Sequence, residues 1–141
     1  TLAALHARFG CALLIDLHSM PPVKPETAAP APQIVVGDRY GRSAGARLCD
    51  LAMRTLVRSG FEVALNHPYA GGYVLDRHGR PARNIHALQI EVDRSMYLDS
   101  PMRDPGEGMG RAKEAVASLV QVLAADLLHG GDSADLAIAA E

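Results

Sequence analysis

An aspartate and a histidine two residues apart, Asp16 and His18, are the first candidates for chemistry in this sequence. They follow the uninterrupted apolar run Cys11–Ile15, which is typical of a strand covered on both faces in an α/β sheet. Active sites of open α/β sheets lie beyond the carboxyl ends of their strands. A neutral histidine is a good zinc ligand, and a nearby carboxylate can hold its second nitrogen. The segment indicates a metal site at His18; the alternative is that Asp16 caps the following turn and His18 is a hydrogen-bonded loop residue.

A second candidate, Glu91, lies in the segment Ala87–Val92, where apolar and polar residues alternate. This alternation predicts a strand whose polar residues Gln89, Glu91 and Asp93 project from one face. A buried glutamate needs a partner or a chemical task. Glu91 is therefore either a general base or one half of a structural ion pair with Arg94.

A third candidate segment, Asn66–Gly72, ends in the pair Gly71 and Gly72. Paired glycines let the backbone approach a ligand closely and expose its N–H groups. The alternative is an ordinary turn.

The elements that must position these residues include a βαβ unit. Ile34–Val36 and Phe61–Leu65 are predicted strands, separated by a helix over Ala44–Arg58 that Ser43 caps. The other predicted elements are a helix over Thr1–Phe9, strands over Cys11–Ile15 and Ala87–Val92, a proline-rich loop over Pro21–Pro32, a loop or hairpin over Pro68–Pro81 and a helix over Arg111–Leu128. We expect an α/β layered sandwich with a mixed, mostly parallel sheet flanked by helices, forming one domain over residues 1–130 with a tail over 131–141.

Composition narrows the class of protein. The chain has 141 residues, 48% of them hydrophobic, and a net charge of −2. The apolar content is high enough to exclude a disordered chain. The negative net charge and the lack of a Lys/Arg run argue against a nucleic-acid binder that relies on a basic patch. No apolar run approaches the roughly 20 residues needed to cross a membrane. Cys11 and Cys49 are too few for a disulfide framework and are expected to be inert. A reducing, cytoplasmic location is the expectation.

Four segments, taken in order, resemble the N-formylglutamate amidohydrolases. They are Asp16-Leu-His-Ser-Met-Pro21, Gly37-Asp-Arg-Tyr-Gly41, Asn66-His-Pro-Tyr-Ala-Gly-Gly72 and Gln89-Ile-Glu-Val-Asp-Arg94. That family is similar to the zinc carboxypeptidases and aspartoacylases and has an α/β sandwich around a mixed sheet. The resemblance implies hydrolysis of N-formyl-glutamate to formate and glutamate, a late step of bacterial histidine breakdown, with a small N-acyl amino acid as the binding partner.

The resemblance also implies roles for individual residues. His18 resembles the third zinc ligand of the family, and Glu91 resembles the glutamate that activates the metal-bound water. The residues expected to line the substrate pocket are Arg39, Asn66, Tyr69, Gly71, Gly72 and Arg94. The two arginines are suited to bidentate binding of the substrate carboxylates.

The sequence departs from the family pattern in its zinc ligands. The family's first two, a histidine and an acidic residue, come from a segment well before the Asp-x-His strand, but the 17 residues that precede His18 here contain only His6 and Asp16 as candidates. We therefore expect the C-terminal part of such an enzyme, or a truncated homologue, that binds zinc weakly and has little activity. The alternatives are an aspartoacylase-like or carboxypeptidase-like amidase, and a non-catalytic remnant acting as a binding or assembly module.

Overall fold

The protein is described by a computed structural model covering residues 1–25 and 30–138, with side chains described as far as residue 129. The helices are α1 (Leu2–Phe9), α2 (Ala46–Arg58), α3 (Tyr73–His78) and α4 (Met109–Ile138), and the strands are β1 (Ala12–Met20), β2 (Ile34–Gly37), β3 (Val63–Leu65) and β4 (Ile85–Asp93). Short 3₁₀ helices span Pro81–Arg83 and Arg94–Met96. Within the described ranges, no helix combines the length and the apolar character needed to span a membrane.

The four strands form one mixed sheet in the order β1-β4-β2-β3. β1 runs parallel to β4, β2 runs parallel to β3, and the central pair of β4 and β2 is antiparallel. The predicted βαβ unit is β2-α2-β3, and the predicted α/β fold class with a mixed, mostly parallel sheet is confirmed.

One face of the sheet carries the hydrophobic core. Leu88, Ile90 and Val92 of β4 are buried there against α2 and α4, which contribute residues such as Leu56 and Leu119. Because successive side chains of a strand point to opposite faces, the intervening residues of β4 lie on the other face. We call this second face, defined by Asp16, His18, Gln89, Glu91 and Gly37, the polar face.

β1 is longer than predicted, because nine consecutive residues pair with β4. The strand begins at Ala12 and ends at Met20, whereas the apolar run ends at Ile15. Asp16 and His18 therefore lie within the strand, and the interpretation of Asp16 as the cap of a following turn is wrong. The second half of β1 is not predicted by a search for apolar runs, because alternate residues of the strand face away from the core and are polar.

Two local predictions also fail. The segment Pro68–Pro81, expected to be loop or hairpin, contains the short helix α3. The helix predicted from Ala44 starts at Ala46 with Gly45 as its N-cap, because the Ser43 hydroxyl donates to the Ala87 carbonyl oxygen (2.8 Å) instead of capping it.

The remaining boundaries differ by extension or trimming. β3 begins two residues after Phe61, and β4 extends the predicted strand to Ile85 and Asp93. α4 is continuous across residue 130, where the domain boundary was placed, and ends at Ile138. The described parts of the proline-rich loop, residues 21–25 and 30–32, contain neither helix nor strand, as predicted; residues 26–29 of that loop and residues 139–141 of the predicted tail lie outside the described residues.

Candidate active site

His18 and Glu91 are brought together by the pairing of β1 with β4. They are register partners, as are Asp16 and Gln89 one step earlier along the two strands. Partners in a parallel pair project from the same face, so these four side chains share the polar face. Residues that are 73 positions apart in the sequence are thus neighbours in the sheet.

The imidazole of His18 is held by the neighbouring aspartate. His18 Nε2 lies 2.9 Å from Asp16 Oδ1, and 49% of the histidine side chain is exposed. A carboxylate thus holds one imidazole nitrogen, as is common for histidines that bind zinc through the other. The other nitrogen, Nδ1, is left as the ligand that His18 can offer to a metal ion.

Glu91 is buried, with 7% of its surface exposed, and its environment favours the neutral form. Burial raises the pKa of the Glu91 carboxyl and the Asp16 charge adds to this, while His18 and Arg94 act in the opposite direction. The Gln89 amide donates to Glu91 Oε1 (2.9 Å), and within the described part of the chain no group donates to Oε2. One carboxyl oxygen is therefore fixed and the other is able to exchange a proton.

The structural alternative for Glu91, an ion pair with Arg94, is wrong. Among the described residues no such pair forms; instead Arg94 is exposed and its Nε donates to Ser19 Oγ (3.3 Å). Asp93, the third polar residue of β4, accepts from the backbone N–H and hydroxyl of Ser95 and so caps the following 3₁₀ helix.

Asn66 joins the loops that follow β2 and β3. Its amide nitrogen donates to Asp38 Oδ1 (2.7 Å), and its Oδ1 accepts from the backbone N–H of Asp38 (3.0 Å). Asn66 has a φ of 60°, a left-handed conformation that asparagine tolerates better than most residues. Both ends of the Asn66 amide are thus occupied by Asp38, and in this structure the residue fixes the loops of the site.

Arg39 lies in the loop after β2, and its guanidinium group is hydrogen-bonded on two sides. Its Nε and Nη2 donate to the two carboxylate oxygens of Asp76 on α3 (2.9 and 2.8 Å), and its Nη1 donates to the Gly71 carbonyl oxygen (3.1 Å). Arg39 and Tyr40 both have left-handed backbones, with φ of 56° and 57°. The hydrogen bond from Arg39 lowers the pKa of Asp76, so the pair is charged.

The glycine-containing loop reaches the polar face because Gly37 has no side chain. A Cβ on Gly37 would lie 2.7 Å from the Ala70 carbonyl carbon and 2.9 Å from the Gly71 nitrogen. Gly37 is the register partner of Gln89, which bonds Glu91. The glycine-containing loop, whose Gly71 carbonyl accepts a hydrogen bond from Arg39, therefore packs beside the Gln89–Glu91 pair.

The other predicted pocket residues lie in this loop, with different surroundings. Tyr69 is half-buried and Gly72 is exposed. Gly72 is the N-cap of α3, and a Cβ there would meet open space. Gly71, by contrast, has a φ of +92°, and a Cβ there would lie 2.3 Å from Leu75 Cδ2. The two adjacent glycines are therefore not equivalent, since only Gly71 is required by the backbone.

A cleft of about 550 Å³ lies on the helical side of the sheet. Its lining includes Leu17, His18, Tyr97, Met109 and Lys113 but not Glu91. His18 is the one predicted site residue among those that line this cleft.

The described residues contain no group of three histidine, cysteine or acidic side chains placed to hold one metal ion. A catalytic zinc site needs three protein ligands. His18 supplies one, so the described residues alone do not fit a complete zinc site.

Asp76 is the site residue that sequence reasoning missed. It is separated from Arg39 by 37 residues, and it lies in a segment expected to have no regular structure. No local spacing signals such a contact; only the docking of α3 produces it.

Comparison with known proteins identifies the family. Residues 1–98 match the family model described as N-formylglutamate amidohydrolase. The N-formylglutamate deformylase of Pseudomonas aeruginosa is 29% identical over 137 residues, covering 92% of this chain and 49% of that protein. The protein of the same name from Pseudomonas putida is 31% identical over 100 residues, covering 70% of this chain and 38% of its own length.

A solved structure agrees. The crystal structure of N-formylglutamate amidohydrolase from Ralstonia eutropha JMP134 superposes with a TM-score of 0.78 at 30% identity, covering 92% of this chain and 48% of that one. The chain spans about half, or less, of the length of these relatives. Because the family model matches well over half of its residues, the chain belongs to the N-formylglutamate amidohydrolase family.

Proposed function

We propose that the polar face takes part in the hydrolysis of N-formyl-L-glutamate to formate and glutamate. The observation that carries this proposal is the pairing of a buried carboxyl, Glu91, with the imidazole of His18 on adjacent strands. Relatives named N-formylglutamate deformylase support the choice of substrate.

Glu91 is the residue proposed to move protons. Water must lose a proton to attack the formyl carbon, and the amide nitrogen must gain one before the C–N bond breaks. The free Oε2 of Glu91 can take the first proton and deliver the second, and the raised pKa makes this carboxylate a stronger base than an exposed one. The Gln89 amide keeps the carboxyl in one orientation throughout.

Arg39 and Arg94 are proposed to bind the carboxylates of the substrate. N-formyl-glutamate carries two negative charges, and arginine binds carboxylates through paired N–H groups. Arg39 lies in the loop after β2, two residues beyond Gly37, which is the register partner of Gln89, and Arg94 follows β4 directly. In this proposal Asn66 acts by fixing the loop, while Tyr69, Gly71 and Gly72 shape it.

Zinc is proposed as the metal of the complete site. It would polarise the formyl carbonyl and acidify water there. His18 would be one ligand, and the others would come from parts of the family domain outside the span of this chain. For the chain alone we therefore expect weak zinc binding that depends on His18. The free thiols of Cys11 and Cys49 support a reducing, cytoplasmic location.

The test is formate release from N-formyl-L-glutamate, measured for the wild type, Glu91→Gln and the control Glu114→Gln, whose side chain is exposed on α4. We expect a low rate for the wild type. The rate of Glu91→Gln should be lower than the wild-type rate by about 100-fold or more, and the rate of Glu114→Gln should be unchanged. Equal rates for both variants would refute the role of Glu91. Preference for an N-acetyl or peptide substrate would indicate an aspartoacylase-like or carboxypeptidase-like amidase.

The second candidate function is a non-catalytic binding module. It is favoured by the lack of three convergent metal ligands among the described residues. Binding of N-formyl-L-glutamate without formate release, at any zinc concentration, would support it against the hydrolase.

A further inference from the structure

We propose that Asp76 is a positioning residue that holds Arg39 ready for the side-chain carboxylate of the substrate. This inference rests on the proposed function, since it assumes that Arg39 binds the substrate. None of the four segments that resemble the family contains Asp76, which lies on α3, between the glycine pair and β4.

The argument begins with the five N–H groups of the Arg39 guanidinium. Asp76 accepts from Nε and from one N–H of Nη2, and the Gly71 carbonyl accepts from one N–H of Nη1. One N–H therefore remains on each terminal nitrogen. A Cβ on Gly71 would lie 3.5 Å from Arg39 Cδ, so Gly71 approaches Nη1 from the side of Cδ, and the N–H groups that remain on Nη1 and Nη2 are the parallel pair that a second carboxylate can bind in a bidentate manner.

These hydrogen bonds also restrict the conformational freedom of the Arg39 side chain, which ligand binding would otherwise have to restrict. An arginine side chain has many rotamers, and immobilising it costs free energy when a ligand is bound. Here two partners on different segments, Asp76 on α3 and Gly71 in the loop, already fix the guanidinium plane. A ligand carboxylate would meet a donor pair that is oriented before it arrives.

The charge around this pair suits an anion. Arg42 and Arg80 both add to the effect of Arg39 in lowering the pKa of Asp76, so two further positive charges act on this carboxylate. The Arg80 Nη1 also donates to the Asp76 backbone oxygen (2.9 Å). After Asp76 has neutralised one positive charge, the cluster keeps a surplus that fits a dicarboxylate.

Two effects of removing the Asp76 charge have opposite signs, which makes the test decisive. If Asp76 orients Arg39, Asp76→Asn weakens binding of N-formyl-L-glutamate, because the asparagine amide can accept only one of the two hydrogen bonds. If Asp76 is merely a counter-ion, the same variant tightens binding, because a negative charge near the ligand has been removed.

The experiment measures the dissociation constants of N-formyl-L-glutamate and N-formyl-L-glutamine by NMR titration of the full chain. We expect Asp76→Asn to weaken binding of the glutamate derivative about tenfold, equivalent to about 1.4 kcal/mol, and to reduce the preference over the glutamine derivative. Asp76→Glu, which keeps a carboxylate, should recover most of the affinity. The matched control is Asp126→Asn, which breaks the Arg47–Asp126 ion pair between α2 and α4 and should leave both constants unchanged.

The outcomes separate this inference from the proposal beneath it. If Arg39→Lys abolishes the preference while Asp76→Asn leaves binding unchanged or tighter, Asp76 is not a positioning residue and the role of Arg39 stands. If Arg39→Lys binds like the wild type, or the wild type binds neither compound, the assignment of Arg39 to the substrate fails and this inference fails with it. Equal weakening by Asp126→Asn would also overturn it, since the effect would then be one of general stability.

Discussion

Alanine in place of Gly71 is expected to destabilise the protein and to release Arg39, whereas serine in place of its neighbour Gly72 is expected to do neither. The two glycines are adjacent and both are exposed or half-exposed, so surface position alone predicts the same outcome for both. Their backbones and surroundings predict opposite ones.

The cost at Gly71 has two parts. A non-glycine residue held at positive φ costs about 1–2 kcal/mol, and Gly71 has a φ of +92°. The new Cβ would also lie 2.3 Å from Leu75 Cδ2, where ordinary contacts begin near 3.4 Å. Leu75 is fully buried, so its side chain must displace its neighbours, which typically costs about 1–3 kcal/mol. Together these predict a loss of about 2–5 kcal/mol.

Gly72 is the internal control. A Cβ at Gly72 meets nothing within 4 Å, and its φ of −132° is open to any residue. As the N-cap of α3, it has no side chain to bond the first turn, and serine supplies one. Gly72→Ser should therefore change the free energy of unfolding by no more than about 0.5 kcal/mol, or increase it.

Two measurements are made at fixed pH. Urea unfolding gives the free energy of unfolding, and the NMR signal of the Arg39 Nε–H reports on this side chain in the folded protein. We expect Gly71→Ala to lower the free energy of unfolding by about 2–5 kcal/mol and to broaden or shift that signal, because the Gly71 carbonyl no longer faces Nη1. A Gly71→Ala protein as stable as Gly72→Ser, with an unchanged Arg39 signal, would refute the described geometry of this loop.

Three further predictions concern the polar face and its surroundings. Glu91→Gln should unfold at a higher urea concentration than the wild type at pH 8 but not at about pH 4: burial raises the pKa of Glu91 in the folded protein, so wild-type stability begins to fall as the pH rises through the pKa of the unfolded chain, and the loss is complete above the folded pKa. Asn66→Ala should cost about 2–4 kcal/mol in the same measurement and Asn66→Gly less, because glycine keeps the left-handed backbone and loses only the bonds to Asp38. Burial, with a contribution from Asp38, raises the pKa of the Cys49 thiol to about 12, so mass spectrometry should find it unalkylated by iodoacetamide at pH 8 until urea is added.

Much of the sheet could be predicted because its strands contain runs of apolar residues or alternate apolar and polar residues. Ile34–Val36 is buried in full, and the alternation of β4 correctly places Gln89 and Glu91 on one face. What alternation did not show is that this polar face is itself covered, since eight of the nine residues of β4 are buried. Only the packing of other segments over β4 makes Glu91 a buried carboxyl with a raised pKa.

α3 and the contact it creates could not be predicted by periodicity. The helix has six residues, and Leu75 is the one that it buries, so no repeating apolar pattern exists to be recognised. Its place depends on Gly37 and Gly71, whose missing side chains let the loop approach the sheet. The Arg39–Asp76 pair is a consequence of that docking and leaves no trace in local sequence.

The distribution of unfavourable features argues that the polar face is under functional constraint. Arg39, Tyr40 and Asn66 are three of the five non-glycine residues with positive φ in the described structure, and all three lie in the loops after β2 and β3. Each such residue costs free energy, and so does a buried carboxyl with one hydrogen-bond donor. On the opposite face of the same sheet, Leu88 and Ile90 pack on the helices in an apolar core. Since either face could be stabilised by ordinary apolar packing, concentration of these costs beside Glu91 is what catalysis or ligand binding there would require.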